Sequence, residues 1–211
     1  MNHNHPVCPG RRAAILQQMR EQTGGGLALV PTAAEVPRSR DSLFPYRHDS
    51  YFYYVSGFPE PDAVVALIAG PEGDRQVLFC REKNEEREIW DGFRYGPDAA
   101  REIFGFDEAH PIAELDRILP DLATDRPALY TPLGLFEAWD RKITGVLNEV
   151  RSRARTGVAA PGEIVDVRQA LDAMRLFKDG HEVAVMRRGA EISAAAHRRA
   201  MERTRVGWHE Y

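Results

Sequence analysis

The sequence predicts an α/β fold, and three observations carry that prediction. The second half alternates helix-period and strand-period segments. Two strand-like runs, Ala63 to Ala69 and Gln76 to Cys80, meet across the tight turn Pro71 to Asp74 as an antiparallel hairpin. The first of them is apolar on both faces, the pattern of a strand at the centre of a sheet.

In chain order, Pro9 to Glu21 reads as an amphipathic helix with Ala13, Leu16 and Met19 on one side, stopped by Gly24-Gly25-Gly26. Leu27 to Thr32 follows as a strand. Asp41 to His48 is polar and irregular, and Tyr51 to Ser56, dense in aromatic and β-branched side chains, reads as another strand ended by Gly57 and the turn residues Pro59 to Asp62. The mixed-charge run Arg81 to Glu88 reads as a solvated edge or loop ahead of Ile89 and Trp90. Pro97 to Phe104 and Ile112 to Leu119 are expected helices, and Ala128 to Thr131 a short buried strand. Leu135 to Arg151 is a long helix carrying Phe136, Trp139, Ile143, Val146 and Val150 at helical spacing. After Ala159-Ala160-Pro161-Gly162, Ile164 to Val167 is a last strand, with a helix from Arg168 to Phe177 behind it. Asp179 with Glu182 three residues on is a capping box, opening a helix to about Arg205 before Gly207. Its stripe of Val183, Met186, Ala190, Ala194, His197 and Met201 needs a surface to bury against.

Composition bounds the function. The 211 residues hold 32 acidic against 28 basic side chains and 43% hydrophobic residues, enough for a core, so global disorder is excluded. A single domain of about 150 residues leaves a remainder. The net charge of −4 offers no attraction to phosphate backbones or anionic lipid, so nucleic acid is not an expected partner. No apolar stretch approaches the roughly 20 residues of a membrane span, and the N-terminus lacks an apolar signal core, so a cytoplasmic protein is expected. Cys8 and Cys80 make no disulfide framework and no C-x-x-C pair, which fits a reducing compartment.

No serine-hydrolase elbow, phosphate-binding loop or dinucleotide fingerprint is present. His181-Glu182 begins the H-E-x-x-H zinc pattern, but Val185 stands at the second histidine position; His209-Glu210 repeats the first half at the end of the chain. His3, His5 and Cys8 are a metal site only if a terminal tail preorganises them, and the plainer expectation is disorder. His197 reads as a packing residue and Glu85-Glu86 as surface. Trp90 stands out: Glu88 to Gly96 mixes aromatics, an arginine and two glycines, the composition of ligand-facing loops, and the alternative is an edge-strand tryptophan covering its own core.

The stretch Phe44-Pro45-Tyr46-Arg47-His48-Asp49-Ser50-Tyr51-Phe52-Tyr53-Tyr54-Val55-Ser56-Gly57-Phe58-Pro59-Glu60-Pro61 resembles the N-terminal domain of bacterial aminopeptidase P, the Xaa-Pro aminopeptidases. The likeness continues through Glu88-Ile89-Trp90, Met174-Arg175-Leu176-Phe177-Lys178 and Glu182 to Arg188. It implies a mixed β-sheet flanked by helices, of the creatinase and aminopeptidase P N-terminal type. The implied divisions are a disordered tail at 1–10, the N-terminal domain at 11–175, and a linker and first helix of a truncated pita-bread metallopeptidase domain at 176–211.

The resemblance also implies removal of the first residue from proline-containing peptides with proline second. Proline's ring fixes φ and removes the amide N–H, so such bonds need a dedicated pocket. Two manganese ions, held by two Asp, one His and two Glu downstream of the matched region, activate water in the family. No residue of this chain then inherits a metal or acid–base role, and the chain alone is expected to be inactive. A homo-oligomer, dimer or tetramer, is implied, in which Trp90 and Arg155 face a neighbour's active-site opening as an aromatic wall and a cation. Arg151 and Arg153 crowd Arg155, so the matched arginine is one of the three. A non-catalytic assembly or peptide-binding module, and a creatinase-like hydrolase on the same two-domain plan, are the other readings.

Overall fold

The computed structural model describes residues 7–209, which fall into two compact units divided between Leu171 and Asp172.

The first unit opens with α1 (Cys8–Thr23). Cys8, Pro9 and Gly10, expected in a disordered tail, form its first turn, and Cys8 is buried because its thiol lies against the Tyr54 carbonyl; residues 1–6 of that tail lie outside the described residues. Gly24 ends the helix in the left-handed region. The next two glycines let strands close in on both sides of β1 (Gly26–Pro31): a Cβ on Gly26, at φ +148, would stand 2.6 Å from the Ala128 carbonyl oxygen.

Tyr51 to Ser56, expected as a strand, is instead the helix α2 (Ser50–Ser56). The deciding residues flank it. Asp49 accepts hydrogen bonds from the Tyr51 and Phe52 amides at 2.8 and 2.9 Å, and Gly57 at φ 65 returns its amide to the Tyr53 carbonyl at 2.8 Å. β2 (Val64–Gly70) and β3 (Gly73–Cys80) form the expected hairpin, with Gly70 opposite Gly73. The charge run contains a helix, α3 (Glu85–Asp91), and α4 (Gly96–Phe104) follows. β4 (Glu108–Pro111), unforeseen in the sequence, pairs parallel to β3 and is clamped there by a two-pronged Arg75–Glu108 bridge at 2.8 and 3.0 Å. The chain then runs through α5 (Leu115–Ala123), β5 (Ala128–Thr131), α6 (Glu137–Ser152), β6 (Glu163–Asp166) and α7 (Arg168–Leu176), whose Ala170 and Leu171 are buried.

The sheet order is β4-β3-β2-β1-β5-β6. β2 is antiparallel to both neighbours, while β1 with β5, β5 with β6, and β3 with β4 run parallel, so every strand but β2 points the same way. The sheet is therefore mixed, and the α/β class holds. Leu27, Leu29, Ala66, Ile68, Val77 and Phe79 face α5 and α6, packing on Leu119, Trp139, Ile143 and Val150. Their alternating neighbours point to the other face, where α1, α2 and α4 lie against the strands. Trp139 satisfies its buried indole N–H on Thr131 Oγ1 at 2.8 Å.

In the second unit α8 (Gly180–Arg203) starts with the expected capping box, Asp179 and Glu182 exchanging side-chain and amide bonds. Its apolar stripe is not buried as expected: within its own unit no α8 residue is buried, and Met186 and Met201 are 60% and 74% exposed. His197, on the same helix, is exposed rather than serving as a packing residue.

Candidate functional site

Because all strands but β2 point one way, the ends of β1, β3 and β4 and the start of β2 share one edge of the sheet, the place where open α/β sheets bind ligands. A groove of about 770 Å³ lies there. It is lined by Glu35 after β1, Asp62 before β2, Arg81 and Glu82 after β3, and Ile112 and Ala113 after β4. Asp41 and Leu43 come from the irregular loop before α2, and Arg87, Trp90, Asp91 and Arg94 close the wall.

Trp90 is thus in the groove wall, but on a helix, neither in a loop nor on an edge strand. Asn84 caps α3 by accepting the Arg87 amide at 3.0 Å, and Glu85, Glu86 and Glu88 put negative charge on its first turn. No α3 residue is buried, and Trp90 is 84% exposed. What fixes the helix is polar. Glu88 Oε1 accepts from Lys83 Nζ at 2.6 Å and from the Arg94 amide at 2.9 Å, and Lys83 draws its carboxyl below the usual range. Arg94 reaches back to Asp91 at 2.6 Å. Behind this layer sits Glu60, only 6% exposed, which accepts the Tyr95 amide at 2.7 Å and faces Arg81 at 3.6 Å. Burial pushes the Glu60 carboxyl up, against the pull of Tyr95, Arg81 and Arg94. A carboxylate between two prolines reads as surface in sequence, so Glu60 gave no signal there.

Arg155 is elsewhere. α6 carries the chain back to the opposite edge of the sheet, where the turn Ala154–Thr156 precedes β6, so one chain does not bring Arg155 and Trp90 together. Arg155 is exposed, while its neighbour Arg153 is tied to Asp121 at 2.6 Å and Glu149 at 3.1 Å.

The groove is lined by acids and arginines, groups that bind polar and charged ligands. Among the described residues no group of three or more His, Cys, Asp or Glu side chains could hold a metal ion. The donor set here does not fit a pair of manganese ions. Cys80 is buried, its thiol pushed up to about 12, which keeps it unreactive. Cys8 is a packed thiol; His3, His5 and Glu210 lie outside the described residues. No helix among the described residues is long and apolar enough to cross a membrane.

Comparison with known proteins gives this arrangement its kin. Residues 9–130 match the family described as aminopeptidase P, N-terminal domain. The Xaa-Pro aminopeptidase of Escherichia coli is 41% identical over 202 residues, 95% of this chain and 45% of that protein. The Haemophilus influenzae Xaa-Pro aminopeptidase is 30% identical over 95% of this chain and 44% of its own length. The low-pH form of E. coli aminopeptidase P superposes with a TM-score of 0.92 at 40% identity, covering 98% of this chain and 46% of that one. The chain thus spans somewhat less than half the length of these relatives. With its mixed sheet, its 9–130 match and a likeness to these proteins over 95% of its own length, the chain belongs to the aminopeptidase P family.

Proposed function

We propose that this chain is the N-terminal part of a cytoplasmic, manganese-dependent Xaa-Pro aminopeptidase, which releases the first residue from peptides with proline second. Its own share of the work is to build the oligomer and the rim of a neighbour's active site. The observation that carries this is the display of Trp90. A large indole is held 84% exposed on a helix with no buried residue, over a groove without a metal-holding group. Burying an indole stabilises by a few kcal/mol, so leaving one in water is explained by a partner or substrate that covers it. Arg155, exposed on the opposite edge, supplies a cation to the rim in the same way. α8 is then the opening helix of a pita-bread domain, whose other elements cover its apolar stripe, and the two manganese ions belong to that domain.

The test follows the longer protein that carries this chain, with and without manganese, on Xaa-Pro-Xaa peptides. Release of the residue ahead of proline is expected; hydrolysis of a creatine-type amidine instead, or of neither, contradicts the reading.

A further inference from the structure

The α3 segment has no core of its own, so something must fix the direction in which it presents Trp90. The contacts converge on Glu60. Its Oε1 holds the Tyr95 amide at 2.7 Å, and Tyr95 is itself wedged among Phe58, Phe93 and Phe104 with ring centroids 5.0 to 5.9 Å apart. Its Oε2 faces Arg81, and the next cation, Arg94, holds the C-terminal half of α3 through Asp91 and Glu88.

This is a poor arrangement for stability. Glu60 Oε2, Arg81 Nε and Arg94 Nε are all buried without a hydrogen-bond partner among the described residues, and the Glu60–Arg81 contact of 3.6 Å is too long for a hydrogen bond. A buried charge so loosely satisfied costs more in lost hydration than it returns, whereas it does define one geometry for the groups around it. We propose that Glu60 is the positioning residue for Trp90: its buried carboxylate holds the Tyr95 amide, faces Arg81 after β3 and attracts Arg94 by charge, and so sets the angle at which α3 offers the indole to the groove. The proposal deepens the reading above and, for its effect on substrate, rests on it.

The groups facing Glu60 are Cys80 and Arg81 from the end of β3 and Arg94 and Tyr95 from the segment after α3. Burial pushes the Cys80 thiol and the Tyr95 phenol up, away from the range between pH 4 and 7 in which a carboxyl such as that of Glu60 changes charge.

The experiment labels the chain's three tryptophans with 5-fluorotryptophan and follows each by 19F NMR, with Trp90→Phe assigning one resonance. Expected: the Trp90 signal titrates with a midpoint above the ordinary carboxylate value, while that of buried Trp139 stays fixed. Both Glu60→Gln and Glu60→Ala abolish that titration and shift the Trp90 resonance with Trp139 unmoved. A Trp90 signal indifferent to pH in the unmutated chain overturns the proposal, as does one unchanged by Glu60→Gln. So does a variant in which Trp139 moves along with Trp90, since that reports general damage. In the longer protein Glu60→Gln is expected to raise KM for a Xaa-Pro peptide about tenfold, the factor one lost charge-assisted contact represents, with kcat within twofold. If the resonance responds but KM does not, Glu60 still positions Trp90, and it is Trp90's place in substrate binding that fails.

Discussion

Arg12 is a charged side chain with no exposed surface, and replacing it by methionine is the sharpest test of how the first unit is held together. Its Nε donates to Gln76 Oε1 at 2.5 Å on β3, Nη1 to the Val55 carbonyl at 3.0 Å in α2, and Nη2 to the Phe104 carbonyl at 3.1 Å and to that of Gly105 at the end of α4. The guanidinium also lies 4.0 Å over the Phe106 ring. One side chain of α1 thus joins two further helices and a strand on the same face of the sheet. Burial lowers its pKa to about 10 against the opposing pull of Cys8 and Asp107, so the side chain stays charged in the interior, where these acceptors satisfy it.

Arg12→Met fills similar volume but leaves three main-chain carbonyls and a glutamine oxygen bare. At about 1 kcal/mol for each unsatisfied acceptor, less what is regained by not burying a cation, the loss is roughly 3 to 4 kcal/mol, a large part of the ~5–15 kcal/mol a domain possesses. Followed by the fluorescence of Trp139 in urea, with a slope of about 2 kcal/mol per molar, the midpoint should fall by about 1.5 to 2 M. Arg12→Lys, which keeps the charge but not the fork, should fall between the two. A methionine variant within about 0.5 M of the parent would refute the reasoning.

Further expectations follow from the same geometry. Asp49→Ala removes the acceptor for two amides at the start of α2 and should cost about 1 kcal/mol in unfolding free energy, with Asp49→Ser restoring most of it. The Glu60 carboxyl is raised in the fold, so its ionised form is the disfavoured one. Its contribution to stability is complete below the unfolded value of 4.5 and is lost as pH rises through the folded value. Glu60→Gln should therefore be at least as stable as the parent at pH 7 in urea melts, with the difference closing below pH 4.5; strong destabilisation at pH 7 would show that the ion cluster stabilises after all. Neither Cys80 nor Cys8 should react with a thiol-specific chromogenic reagent in the native chain at pH 8, and both should do so in denaturant.

Much of this fold was legible in the sequence. The hairpin of β2 and β3, the buried strand at Ala128, the long helix through Trp139 and the capping box at Asp179 carry strong local signals, and each is where it was expected. Tyr51 to Ser56 misled because five aromatic and β-branched residues are too few to show a period, and the informative residues, Asp49 and Gly57, flank the run. β4 escaped because Glu-Ala-His-Pro has no alternation; it is a strand only because β3 offers it an edge and Arg75 a charge. α3 was hidden in a charge run whose asparagine cap and acidic first turn marked a helix all the same. Of the site, Trp90 could be found from composition. Glu60 could not, since its burial depends on the return of the chain 35 residues later at Tyr95.

The most direct measurement titrates the purified chain of residues 1–211 with manganese in a calorimeter and assays the same sample on a Xaa-Pro-Xaa peptide. If this chain frames a neighbour's active site, as proposed, and holds no metal ligands, no heat of specific binding and no released amino acid are expected. Stoichiometric uptake of the metal together with turnover by this chain alone would contradict the account at its root.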